Sequence, residues 1–177
     1  MPSIRTSGTW PRVLEQRRNL EGWPNRNVSG GQTGVDRAAL DVALELSFDC
    51  GGWCPRGRRA EDGPLDSRYP LRETPLRRYG QRTDWNVRDS DGTLILFRTQ
   101  VDGGTRLTWE RARSRGRPCR RVDLDQAPGT EPVMRWIRRY RIRVLNVAGP
   151  RESSSPGVYD RAKGFLVRLL EERSDRS

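Results

Sequence analysis

Ser29-Gly30-Gly31-Gln32-Thr33-Gly34-Val35-Asp36 is a glycine-rich turn that feeds directly into an apolar-periodic segment, Val35 to Leu46. Glycine permits φ > 0 and puts no Cβ between the main chain and a ligand. A helix N-terminus behind such a turn offers unpaired N–H groups and the positive end of a dipole. Strand, glycine turn and helix in that order constrain the chain to α/β architecture and suit an anion, most often a phosphate. A plain strand-to-helix turn has the same appearance. The spacing matches neither the dinucleotide fingerprint nor a P-loop, because no Gly-Lys-Ser/Thr follows.

The same unit recurs along the chain. Apolar residues at 35, 38, 39, 42, 43 and 46 form one helical stripe. Phe48–Trp53 is expected to be extended, and residues 54–75 form a long loop rich in Arg, Gly, Pro and Asp. Helices are predicted over Arg78–Arg88, Thr105–Arg115, Glu131–Arg141 and Val158–Glu172. Strands are predicted over Gly92–Phe97, Cys119–Leu124 and Val144–Ala148. Asn25-Arg26-Asn27-Val28 is a poor strand by composition; only its place in the repeating pattern marks it as one. The expected architecture is an α/β sandwich on a mostly parallel sheet of about five strands. Residues 1–24 read as an N-terminal extension, part helical over Val13–Leu20, with Trp10 and Trp23 docking on a single domain at 25–177.

In such sheets ligands sit at the carboxyl ends of the strands. Loops 29–36, 54–63, 98–105 and 148–157 should therefore meet on one edge. The candidate ligand-binding set is Ser29, Gly30, Gly31, Thr33, Gly34, Asp36, Arg58, Arg59, Asn86, Arg88, Gly103, Gly104, Thr105, Gly149 and Arg151. Gly103-Gly104-Thr105 reads as a second cradle at a helix start, and the arginine fork of Arg58 and Arg59 suits phosphate. Asp36 in a first helical turn also fits a purely dipolar role. Asp91 would cap or turn, with Arg88 as its partner. Trp109 and Trp136 read as core, and Trp53 as a ring that could stack on a ligand.

Composition removes several chemistries. There is no histidine, which excludes imidazole catalysis and imidazole metal ligands. Cys50, Cys54 and Cys119 are an odd set of thiols, with no long apolar run, so a reduced cytoplasmic protein with no membrane span is expected. Cys50 and Cys54 lack a second ligand pair, so no metal site is assigned. The net charge is +11, but Lys163 is the only lysine and the arginines are dispersed along the chain, which argues against nucleic acid as the main partner.

Four separated motifs, in order, resemble one family: Ser29-Gly-Gly-Gln-Thr-Gly-Val-Asp36 running on to Leu40; Gly51-Gly-Trp-Cys-Pro55 with Gly57 to Gly63; Arg82-Thr-Asp-Trp-Asn-Val-Arg-Asp-Ser-Asp91; and Leu145-Asn-Val-Ala-Gly-Pro-Arg-Glu152. Together, from about residue 27 to about 170, they are similar to the molybdenum-carrier family, the circularly permuted, YpsA-related branch of the SLOG superfamily. The resemblance implies a Rossmann-like three-layer fold, a homo-oligomer, and a nucleotide or molybdenum cofactor (a pterin phosphate) as ligand. It also implies that Gly30, Gly31, Thr33, Gly34, Arg58, Arg59, Gly103, Gly104 and Thr105 line the pocket.

Lonely-Guy phosphoribohydrolases of the same superfamily carry Gly-Gly-x-Gly-Thr-x-x-Glu with a catalytic glutamate. Here the nearest carboxylate, Glu110, is displaced from that position by about 200° around the helix, so the role does not transfer. The leading expectation is a carrier of a phosphorylated, ring-bearing small molecule. A hydrolase using Glu61 or Asp62 as base is the alternative, and an arginine-driven nucleic-acid binder a weaker one.

Overall fold

The computed structural model describes residues 22–99 and 103–172. Five parallel strands form its centre: β1 (Arg26–Val28), β2 (Cys50–Gly51), β7 (Gly92–Phe97), β8 (Cys119–Asp123) and β9 (Val144–Ala148). Between β2 and β7 the chain forms short pairs from β3 (Trp53–Cys54), β4 (Arg59–Ala60), β5 (Gly63–Pro64) and β6 (Arg72–Glu73). There β3 pairs with β6, and β4 with β5. The helices are α1 (Val35–Glu45), α2 (Tyr79–Arg88), α3 (Gly103–Ser114), α4 (Glu131–Tyr140) and α5 (Val158–Glu171).

The weak strand at 26–28 is present and is flanked by β2 and β9. Interior position in a parallel sheet outweighs its composition. The expected extended stretch at 48–53 is instead broken at Gly52. Its φ is +127°, and a Cβ there would stand 2.3 Å from the Ser29 carbonyl oxygen. Gly103 and Gly104 lie within the first turn of α3, two residues earlier than the predicted start. The loop at 54–75 contains the hairpin β4–β5, whose tip is Glu61-Asp62. Trp23 is buried in the core as expected, whereas Trp10 and Val13–Leu20 lie outside the described residues.

The strand order is β2-β1-β9-β7-β8. Counted from β9 and continuing through β1, β2, β7 and β8, this order reads 3-2-1-4-5, the first five strands of the doubly wound nucleotide-binding pattern. The chain is thus a circular permutation of that pattern, with its last strand at the sheet centre. The direction of the crossovers reverses across β9, which places the topological switch point between β9 and β7.

The two faces of the sheet differ chemically. Leu94 and Leu96 of β7 and Leu145 and Val147 of β9 pack with Val35, Ala38, Met134, Ile137, Phe165 and Leu166 in one apolar core under α1, α4 and α5. The intervening residues point to the α2–α3 face, where buried Thr93, Asn146, Thr83, Asn86, Thr105 and Thr108 gather. Asn146 Nδ2 donates to Thr93 Oγ1 at 3.2 Å. A polar interior on one face, opening at the C-terminal ends of β1 and β9, is what positions the site.

Candidate binding crevice at the carboxyl ends of the central strands

Gly30, Arg82, Thr83, Asn86, Thr108, Asn146 and Ala148 line a crevice of about 10 Å³ at the C-terminal ends of β1 and β9. It is small because Arg82 fills it. The guanidinium lies against the main chain at residue 30, where a Cβ would meet Arg82 Nη1 at 1.5 Å. Arg82 Nη1 also binds Asp36 Oδ2 at 2.5 Å, with the two side chains only 14% and 2% exposed. Its Nε is buried without a hydrogen-bond partner. A buried donor left unpaired costs about 1–3 kcal/mol, so this guanidinium has unused capacity for an acceptor.

Asp36 therefore does more than favour a helix dipole. It accepts from Arg82 and from the amides of Gln32 and Gly149. Burial pushes its carboxyl above the ordinary aspartate value, against the opposing pull of Arg82 and those amides.

The amides of the first loop are partly engaged within the protein. Thr33 N–H, expected as a ligand donor, goes to Gln32 Oε1 at 3.0 Å, and Val35 N–H goes to the Pro150 carbonyl at 3.3 Å. Gly34 has φ +74°, and a Cβ there would stand 2.4 Å from Pro150 O, so loops one and four touch through a glycine. Gly149 has a similar role, since a Cβ there would meet the Leu96 carbonyl at 2.2 Å. Ser29 Oγ donates to Val147 O at 2.9 Å and ties β1 to β9.

The hairpin tip closes over these loops. Glu61 N–H donates to Gln32 Oε1 at 2.9 Å. The Glu61 carboxylate accepts from Thr33 Oγ1, from Ser153 Oγ at 2.5 Å and from Ser153 N–H at 3.2 Å, with Arg151 at 3.8 Å. Burial raises its pKa, but those hydrogen bonds and the Arg151 charge outweigh it and hold the carboxyl below the usual glutamate value. Asp62 makes a two-pronged pair with Arg37 at 3.0 and 3.1 Å, which lowers its carboxyl too. Neither acid has the raised basicity of a general base tuned to neutral pH. Both clasp the loops together.

Among the predicted arginines, Arg58 has a different role from the one its sequence context suggests. Its three guanidinium nitrogens donate to the carbonyls of Leu65, Leu71, Asp66 and Tyr69 at 2.8–3.1 Å, pinning the 65–71 segment. Arg59 is exposed and stacks on Tyr79 at 5.4 Å, a ring that Arg82 also approaches at 5.9 Å. Arg88 is drawn away. It pairs with Asp89 rather than Asp91 and covers Trp85 at 4.7 Å. Asp91 caps β9 by accepting from the Arg143 and Val144 amides.

Asn86 pairs with both main-chain groups of Trp53, at 2.8 and 3.0 Å, while also lining the crevice. The Trp53 ring is engaged in an edge contact with Trp85, and its Nε1 donates to Asp89. Trp136 is core, whereas Trp109 is only half-buried, between Arg113 and Arg121. Gly103 faces open space, Thr105 is buried below it, and Arg98 ties the third loop to the fourth through the Pro156 carbonyl at 2.6 Å. Loops one, two and four thus meet on one edge, and the third joins them through Arg98.

Sequence reasoning missed Arg82 and Gln32. Arg82 and Asn86 stand four residues apart on α2, on one helix face. That spacing was the available signal.

Burial raises all three thiols, Cys119 to about 11, so none is a ready nucleophile. Among the described residues there is no group of three His, Cys, Asp or Glu side chains placed to hold a metal, and no helix long and apolar enough to cross a membrane.

These features define a circularly permuted, Rossmann-like α/β protein with a polar crevice at the C-terminal ends of β1 and β9, the strand that borders its switch point. The chain belongs to the circularly permutated YpsA SLOG family, whose model matches residues 27–170. It is also similar to a solved structure, a putative molybdenum carrier protein from Syntrophus aciditrophicus SB. The two share 41% identity over 83% of this chain and 95% of that one, with a TM-score of 0.80. No curated protein matches the chain.

Proposed function

We propose that this protein binds and carries a phosphorylated, ring-bearing small molecule, a nucleotide or a pterin-type cofactor such as molybdenum cofactor, at the C-terminal edge of β1, β9 and β7. The observation that carries the reading is Arg82, buried at the ends of β1 and β9 with an unpartnered Nε and laid on a glycine whose missing Cβ makes room for the guanidinium. Glu61 supports it. A carboxylate held by two hydroxyls, an amide and a nearby arginine occupies a place whose donors equally suit a phosphate oxygen. The carrier name of the Syntrophus protein agrees with this chemistry. Metal would arrive with the pterin as cargo, held through the phosphate and ring.

The test is a thermal-shift screen with nucleoside mono- and diphosphates and pyrophosphate, run on wild type and on Arg82→Gln/Asp36→Asn, which leaves no unpaired buried charge. Stabilisation of wild type by one of these probes, lost in the double variant, is expected. Equal stabilisation of both proteins would refute the site.

A further inference from the structure

Read along the chain, the arginines form no basic block; in the fold, three of them do. Arg120 of β8 and Arg135 and Arg139 of α4 line an open groove of about 530 Å³ together with Pro132, Trp136 and Tyr140. That volume is within the range of small-ligand clefts, about 300–1,000 Å³. The groove lies on the opposite layer from Arg82, beside the outermost strand of the sheet.

Elsewhere among the described residues eleven arginines pair with a carboxylate, as in Arg37–Asp62, Arg82–Asp36, Arg98–Asp125 and Arg115–Asp84. Among the described residues, none of Arg120, Arg135 and Arg139 has a carboxylate within 4.0 Å. Arg120 Nε is moreover buried without a hydrogen-bond partner. Tyr140 is 49% exposed, tilted against Trp136 at 6.4 Å, with Arg139 over its ring at 5.9 Å.

Three planar cations around an exposed aromatic surface recognise alternating anions and flat rings. We propose that this groove binds single-stranded nucleic acid, its phosphates paired with Arg120, Arg135 and Arg139 and a base stacked on the Tyr140–Arg139 surface. A second copy of the chain is disfavoured, because a two-fold contact would set the same three cations against each other. Strand addition by an acidic peptide is disfavoured by the adjacent arginines of β8, since charged side chains blunt an edge.

The test is fluorescence anisotropy with a labelled oligothymidylate of about 20 nucleotides, titrated over a range of salt concentrations. With three phosphates neutralised, the log–log salt slope should be about −2, falling to about −0.7 in Arg135→Gln/Arg139→Gln. Affinity should drop about tenfold in Tyr140→Ala. Arg77→Gln/Arg78→Gln removes the same charge from an exposed loop and should leave affinity within about twofold if the groove, rather than net charge, is responsible. Arg82→Gln/Asp36→Asn should bind the oligonucleotide like wild type, which separates this groove from the crevice. Absent binding, equal losses in the two arginine pairs, or indifference to Tyr140 with equal capture of polyglutamate would each overturn the proposal.

Discussion

The Arg82 guanidinium rests on Gly30, so close that a Cβ on residue 30 would lie 1.5 Å from Nη1, and from there it reaches the Asp36 carboxylate at 2.5 Å. One contact requires a glycine, the other a buried acid, and both come from the loop that opens α1. The phosphate-type turn of the sequence is thus a socket for an internal cation, whose Nε is left buried without a hydrogen-bond partner.

The first consequence concerns stability. Removing one partner of a buried ion pair leaves an uncompensated charge and costs about 3–5 kcal/mol. Arg82→Gln should therefore lower unfolding free energy by about that amount, while Arg82→Gln/Asp36→Asn should cost clearly less than the sum of the single variants. Urea denaturation of the four proteins measures the coupling. Additive losses would mean that the two groups act independently.

Glu61 occupies Thr33, Ser153 and Arg151, donors that the proposed function would offer to an external anion. Glu61→Gln removes the internal negative charge and leaves those donors in place. Affinity for pyrophosphate should rise about threefold to tenfold, roughly 1 kcal/mol, a typical value for a partly screened charge contact. Isothermal titration provides the number; unchanged or weaker binding would mean that Glu61 stands outside the anion path.

Acid should loosen the clasp before the core. Asp62 is held below its ordinary value of 3.8 by Arg37, so its contribution is complete above that pH and is lost as pH falls through the lowered folded value. Asp36 has the opposite sign: its raised carboxyl weakens the fold as pH climbs from 3.8 through the folded value. Asp62→Asn should flatten the stability decline below about pH 4, and Asp36→Asn should leave that limb in place. Melting temperatures across pH 3–7 distinguish the two.

Arg26-Asn27-Val28 shows which parts of the fold the sequence reveals. Its side chains argue against a strand, yet alternation of strand, loop and helix identifies it, because a parallel sheet is specified by repeated units rather than by any one of them. Gly92–Phe97 is legible alone, being a buried apolar run. Arg58 is the converse case. A guanidinium in a charged loop looks ready for phosphate, and nothing local signals that four carbonyls from 65–71 converge on it. The boundary of α3 at Gly103 was equally hidden, since glycine is a poor helix former and here enters only the first turn. Arg82 was readable only through its four-residue spacing from Asn86. Its opposition to Gly30 depends on how α2 packs over the sheet edge, a long-range fact.

Native mass spectrometry of the protein purified from its own host, beside Arg82→Gln/Asp36→Asn expressed there, asks whether Arg82 receives a phosphorylated ligand. Wild type should carry a noncovalent adduct that releases a phosphate-containing, ring-bearing molecule and is strongly depleted on the double variant. The same adduct at equal occupancy on both proteins, or an adduct containing no phosphorus, would contradict that role for Arg82.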